Sequence, residues 1–176
     1  MSLEPTSWAA FAEWAWARHH NEWSWYVRPL FLLPFAWFAW RRQPAGLLLT
    51  LLLLPTSLFW FPAPSEPAPR VLAYLAWERA FVLEGQPLVQ GTVVTLVLAF
   101  LVALAAAFWT RRWWWGLVVL NVGTLLKLLF SVAWGGQAGR AVLVPALVTL
   151  AVCHVVVLAI VAARRQRAQH PHWPRR

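Results

Sequence analysis

The stretch Trp113–Trp134, WWWGLVVLNVGTLLKLLFSVAW, constrains this chain most. About 20 apolar residues rising about 1.5 Å each cross the hydrocarbon of a bilayer as a helix, and this run is long enough to do so. Tryptophan stands at both ends, where amphipathic rings favour the membrane–water boundary. Asn121 and Lys127 sit inside it, and Lys127 is the only lysine of the chain. A lysine at mid-bilayer costs about 2.5–3.5 kcal/mol on insertion scales. The surrounding Leu, Val and Phe return about 0.3–0.6 kcal/mol each, so the segment is expected to insert.

The rest of the chain agrees with a membrane reading. A soluble chain of 176 residues would form one domain. Here 61% of residues are hydrophobic and aspartate is absent. Apolar runs recur that are too long for the helices of a globular core. The formal charge of +9 would suit nucleic acid if it formed one surface. It is instead divided along the chain in a way that places it on two sides of a membrane, so no nucleic-acid partner is expected. Cys153 is the only cysteine, which excludes an intrachain disulfide. The opening MSLEPTSWAAFAEW has an acid and no basic region before an apolar core, so no cleavable signal peptide is expected.

Taken in order, residues 7–23 read as a short helix lying in the interface. Ser7 can cap it, Trp8, Phe11 and Ala15 share a face, and Glu13, Arg18 and Glu22 make it too polar to span. A first span is expected over about 24–40, kinked by Pro29 and Pro34 and stopped by Arg41-Arg42. A second, over about 44–61, is nearly pure Leu with Pro55 as a kink site, and PAPSEPAPR (62–70) is a stiff loop. Residues 71–84 read as a second interfacial helix stopped by Gly85. The third span, about 88–109, carries Thr92, Thr95, Ala99, Ala103 and Ala106 as a narrow face suited to close helix packing. The fourth is 113–134, followed by a Gly135-Gly136-Gln137 turn. The fifth is about 139–163, with Ala146, Thr149 and Cys153 on one face. The tail 164–176, RRQRAQHPHWPRR, is basic, read as disordered, and expected to attract anionic headgroups. No internal repeat is evident. The predicted fold is all-α: residues 1–163 form a five-helix transmembrane bundle with two interfacial helices.

Charge sets the expected orientation. With the tail in the cytoplasm, five spans place Arg41-Arg42, Arg111-Arg112 and the tail arginines inside. The same arrangement places Glu4, Glu13, Glu22, Glu66, Glu78 and Glu84, every acid of the chain, outside. The tryptophans then form an inner girdle at Trp37, Trp40, Trp109 and Trp113–Trp115. An outer girdle follows at Trp8–Trp25, Trp60, Trp77 and Trp134. The expected location is the cell membrane, multi-pass, N-terminus outside and C-terminus inside.

Three groups of residues could carry chemistry. Gly116, Leu120, Gly123, Lys127, Ser131 and Trp134 fall on one helical stripe, flanked by Asn121 and Thr124. Pointed into the bundle, this stripe offers Lys127 to an acidic ligand, a proton or an ion. The plainer reading is a lysine that snorkels toward the outer headgroups, since Trp134 is only about 10 Å of helix away. A structural ion pair with Glu78 or Glu84 is equally plain. In AWARHHNEWSWYVRP (15–29), a continuous helix would put His19, Glu22, Trp23 and Tyr26 on one face, with His20 beside them. His and Glu at that spacing can share a proton, but a catalytic metal needs about three protein ligands, so no metal is expected. Glu78-Arg79 is the third group, on the same side as His19, His20, Glu22 and Arg28. These groups either converge with Lys127 on one outward-facing pocket or form separate surface ion pairs of about 0–1 kcal/mol.

His154 stands alone on its apolar helix and reads as a packed, hydrogen-bonded group rather than a haem ligand. Phosphate-loop, dinucleotide, CxxC, HExxH and GxSxG patterns are all missing, and no cofactor is expected. The functional expectation is a protein that binds or transports a small amphipathic or anionic molecule. The expected ligand-binding set is Lys127, Asn121, Glu78, Arg28, His19, His20 and Glu22. The alternatives are a membrane enzyme acting on a lipid or isoprenoid headgroup through His19 or Glu22, and an accessory subunit of a membrane complex. The bilayer is the expected partner, with a homo-oligomer or a partner subunit as further possibilities. A cysteine introduced at Ser65 should be labelled by an impermeant reagent from outside intact cells; labelling only after lysis would overturn the orientation.

Overall fold

Proline opens or interrupts several helices of this chain. A computed structural model describes residues 7–169, all helices and turns with no strand among them. The expected placements of Glu4 and of residues 170–176 lie outside the described residues. Helices α4 (Pro44–Leu53), α5 (Pro69–Glu84) and α6 (Pro87–Trp109) each open with proline in the first turn, where the missing N–H would be unsatisfied anyway.

The first expected interfacial helix is shorter than read. Helix α1 covers Ser7–His19, and α2 starts at Trp23 and runs to Leu30. Asn21 divides them. Its side-chain oxygen accepts from Trp23 N at 3.0 Å, and its amide donates to Pro62 O at 2.9 Å. An asparagine offers the backbone this alternative to continuing a helix. Pro34 likewise interrupts the first expected span. It removes an N–H that Leu30 would have accepted, and the chain breaks at Phe31 between α2 and α3 (Leu32–Trp40). Pro55 turns the end of the Leu-rich segment into a 3-10 helix, Pro55–Phe59.

Two helix hairpins share one turn design. Between α3 and α4, Arg42 has φ 54°, and Gln43 N donates to Phe38 O at 2.9 Å. Between α6 and α7 (Trp113–Gly139), Arg111 has φ 60°, and Arg112 N donates to Ala107 O at 3.0 Å. Both are left-handed helix stops of the kind usually made by glycine. Arginine in that conformation costs about 1–2 kcal/mol. Arg42 Nε donates to Trp109 O at 3.3 Å, so the ends of α3 and α6 lie together and the two helices run parallel. The element order thus repeats (leading helix, arm, arginine turn, returning arm), although the sequence shows no repeat.

The last segment folds back on α7. Gly136, with φ 54° and ψ −125°, breaks α7 near its end, a conformation open only to glycine. A 3-10 turn, Arg140–Val142, leads into α8, Leu143–Gln169. Asn121 Nδ2 donates to His154 Nε2 at 2.9 Å across the two arms, which makes them an antiparallel pair. The tail expected to be disordered from residue 164 instead continues α8 to Gln169, because Ala, Arg and Gln are good helix formers.

Two helical stretches are long and apolar enough to cross a membrane: Pro87–Trp109, and Trp113–Arg167, which contains the α7–α8 fold-back. The Pro44–Phe59 segment is apolar but shorter, cut by Pro55. One cluster of Phe35, Ala39, Leu104, Phe108, Leu120 and Cys153 joins α3, α6, α7 and α8. A second, of Trp25, Val71, Tyr74, Leu75 and Val142, joins α2 and α5 to the 3-10 turn.

The face of α6 expected to pack is turned outward. Thr92, Thr95, Ala99, Ala103 and Ala106 are exposed, and α6 packs instead through Phe100, Leu104, Ala107 and Phe108. The reason lies on α7. Side chains added at Gly116 and Gly123 would overlap the rings of Phe108 and Phe100. The small residues of the contact are therefore on α7 and the large ones on α6. On α8, Thr149 and Cys153 of the expected face are buried, with Thr149 Oγ1 donating to Tyr26 O at 3.3 Å. Gly123→Ala should destabilise the protein by about 1–3 kcal/mol through overpacking. Gly91→Ala, with nothing within 4 Å of the new methyl, should not. Thermal unfolding in detergent followed by circular dichroism separates the two, and equal responses would refute the contact.

Candidate functional site

One cavity of about 60 Å³ collects most of the charge from the interior of this end of the bundle. His19, Arg28, Tyr74, Glu78 and Lys127 line it, with Trp25, Pro29 and Pro145 completing the walls. Four helices supply the polar groups: α1 gives His19, α2 gives Arg28, α5 gives Tyr74 and Glu78, and α7 gives Lys127.

His19 is the hinge of the arrangement. It is 4% exposed. The break at Asn21 turns α2 back so that Arg28 Nη2 lies 3.2 Å from His19 Nδ1. Arginine can only donate, so Nδ1 accepts and the ring is the neutral tautomer with its proton on Nε2. That nitrogen faces Glu78 Oε2 at 3.5 Å. Arg28, His19 and Glu78 therefore form one directed chain of donors. Arg28 Nε is buried without a partner. Lys127 lines the same cavity, although the residue as a whole is exposed.

Burial pushes the Glu78 carboxyl up, but His19, Arg28 and Lys127 together outweigh it and hold Glu78 below its ordinary value. Burial, with the Glu78 charge adding, raises the Tyr74 phenol, while the neighbouring Ser131 works against this. Tyr74 therefore stays a neutral hydrogen-bonding group.

Three of the seven expected site residues are elsewhere. Asn121 is on the outside of α7, donating to Leu117 O at 2.7 Å and to His154. His20 bonds back to Trp16 O at 2.8 Å. Glu22 does not share a face with His19, because the helix ends between them. It takes a two-pronged contact from Arg70, at 3.1 Å from Nε and 2.6 Å from Nη2. Arg79 also stays apart, its guanidinium 6.0 Å from the Trp16 ring centre. Tyr74 is the site residue that the sequence reading passed over. It lies one turn before Glu78 on α5, and that spacing was the available signal. Among the described residues, no group of three His, Cys, Asp or Glu side chains could hold a metal. His154 is a packed group, accepting from Asn121 and donating from Nδ1 to Leu150 O at 2.9 Å.

Fold and site together define a small all-helical protein with two stretches able to cross a membrane and a charged cavity at one end. Comparison with protein-family models, with curated proteins and with solved structures finds no match.

Glu78 contributes stability that is present above its ordinary value of 4.5 and lost as pH falls through its lower folded value. The wild-type melting temperature should therefore fall as pH is lowered below 4.5. Glu78→Gln should lose about 1–3 kcal/mol at neutral pH and flatten that acid limb; an unchanged limb in the variant would show that other carboxylates control it.

Proposed function

We propose that this protein is a five-span membrane protein, N-terminus outside and C-terminus inside, that binds a small anionic group in the cavity between α1, α2, α5 and α7. The observation that carries this reading is the charge imbalance. Arg28 and Lys127 bring two cations to the cavity, Glu78 brings one carboxylate, and His19 is neutral while it accepts from Arg28. A cation at a low-dielectric site without a full partner is costly, and a bound anion relieves it. Arg28 Nε is buried without a hydrogen-bond partner, so the guanidinium is not fully satisfied by the protein.

The volume limits what enters. A water takes roughly 10–15 Å³ of such space, so about 60 Å³ holds a few waters or a carboxylate or phosphate, not a whole amphipathic molecule. Any hydrocarbon attached to the anion would stay outside the cavity. Binding is favoured over acid–base catalysis because both ring nitrogens of His19 face protein groups and Glu22 is tied to Arg70.

The membrane arrangement has its own support. Arg42, Arg111, Arg164 and Arg165 meet the inner-girdle tryptophans at one end of the bundle. Glu22, Arg70 and Glu78 gather at the other. Segregation of this kind is what the positive-inside rule produces.

Native mass spectrometry of the protein in mild detergent, beside Lys127→Met, tests the site. A discrete anionic adduct should be present on the wild type and reduced about tenfold in the variant, the loss expected when one charged contact of about 1.4 kcal/mol is removed. Identical bare spectra from two folded samples would make Lys127 a snorkelling residue and end this reading.

A further inference from the structure

The other end of the bundle carries a second, chemically different concavity. A groove of about 80 Å³ runs between α3 and α8, closed at its base by Phe108 and Trp113. On α8 its wall is Val156, Val157, Ile160 and Val161, successive positions of one helical face, and the next turn of that face is Arg164. The groove is thus hydrocarbon along its length and cationic at its mouth. Trp40 stands opposite, with the Arg164 guanidinium 5.0 Å and that of Arg111 5.7 Å from its ring centre. Arg165 lies 6.0 Å from the ring of Trp113.

These arginines are exposed and uncompensated. The two ion pairs among the described residues, His19–Glu78 and Arg70–Glu22, are both at the far end. The last acid in the chain is Glu84. A tryptophan face attracts a guanidinium and orients it, but leaves its charge and its forked donors free. Two forks held at one aromatic ring suit the oxygens of a phosphate.

We infer that this groove binds one anionic phospholipid, with part of one acyl chain against α3 and α8 and the phosphate between Arg111 and Arg164. A soluble anion would leave the apolar walls unused. A second copy of the chain would bring the same positive end and be repelled. A zwitterionic lipid would bring its own cation to a rim that already has several. The groove differs from the general attraction of the basic tail for headgroups, because it fixes the lipid by shape as well as charge.

The test uses the full chain, stripped of lipid in mild detergent, with phosphatidylglycerol or phosphatidylcholine added in equal amounts and the bound lipids counted by native mass spectrometry. One phosphatidylglycerol should be retained better than phosphatidylcholine by about tenfold or more, because the two rim arginines favour the lipid with net negative charge. Arg111→Gln with Arg164→Gln should abolish that preference. Arg79→Gln with Arg140→Gln removes the same charge from exposed positions at the far end of the bundle and should leave the preference within about twofold. Val157→Trp fills the groove without changing charge and should reduce retention to the level of the rim variant. Equal retention of both lipids by the wild type, or equal losses in the two double variants, would refute a defined site; unchanged retention in Val157→Trp would refute the groove. The wild-type comparison needs no variant to fold, and circular dichroism verifies helix content in the others.

Discussion

The contact of two glycines on α7 with two phenylalanines on α6 underlies the rest of this structure. Inside a bilayer, apolar side chains gain little by leaving lipid for protein, so helices associate through close packing. Gly116 and Gly123 let the rings of Phe108 and Phe100 lie on the α7 backbone. That fixes the height and rotation of α7 against α6. Phe108 and Leu104 then form the surface on which Phe35 and Ala39 of α3 rest. With α7 in place, Ser131 is buried beside Tyr74, and Lys127, one turn earlier, faces the cavity. A shift of α7 by one residue would carry Lys127 about 100° around the helix and away from Glu78.

Much of this was readable from the chain. Long apolar runs, proline positions and paired arginines marked the helices to within a few residues, because they act locally. The small-residue stripe on α7 was also readable, and Gly116, Leu120, Gly123 and Ser131 pack, while Lys127 and Trp134 are exposed. The similar stripe on α6 misled, since a stripe identifies a surface capable of close approach and not the surface that finds a partner. That choice depends on where Phe100 and Phe108 point. The helix break at Asn21 was missed because the run AWARHHNEW contains no proline or glycine. Asn21 makes it through a local bond from Trp23 N, and a bond from its amide to Pro62 O, which no local pattern announces, holds it.

The same break decided the site. Had α1 continued, His19 and Glu22 would have shared a face, as the spacing implied. Instead Glu22 meets Arg70, and His19 turns to Glu78, far along the chain. The sequence supplied most of the right residue types for the cavity, and four of its seven residues arrive there. It could not pair them, because each pairing depends on four helices meeting. Lys127 and Glu78 were legible for a simple reason: a lone charge on an apolar helix has few places to go.

His19 explains why two cations are tolerated so close together. A carboxylate beside Arg28 would neutralise it fully and leave only Lys127. By standing between them as a neutral ring, His19 accepts from Arg28 at Nδ1 and keeps its remaining proton toward Glu78. Glu78 is thereby shared: its charge acts on His19, Arg28 and Lys127 together and satisfies none completely. A protonated His19 could not accept from Arg28, and the chain of donors would reverse into repulsion. An anion entering the cavity would meet Arg28 and Lys127 without having to displace Glu78 from His19.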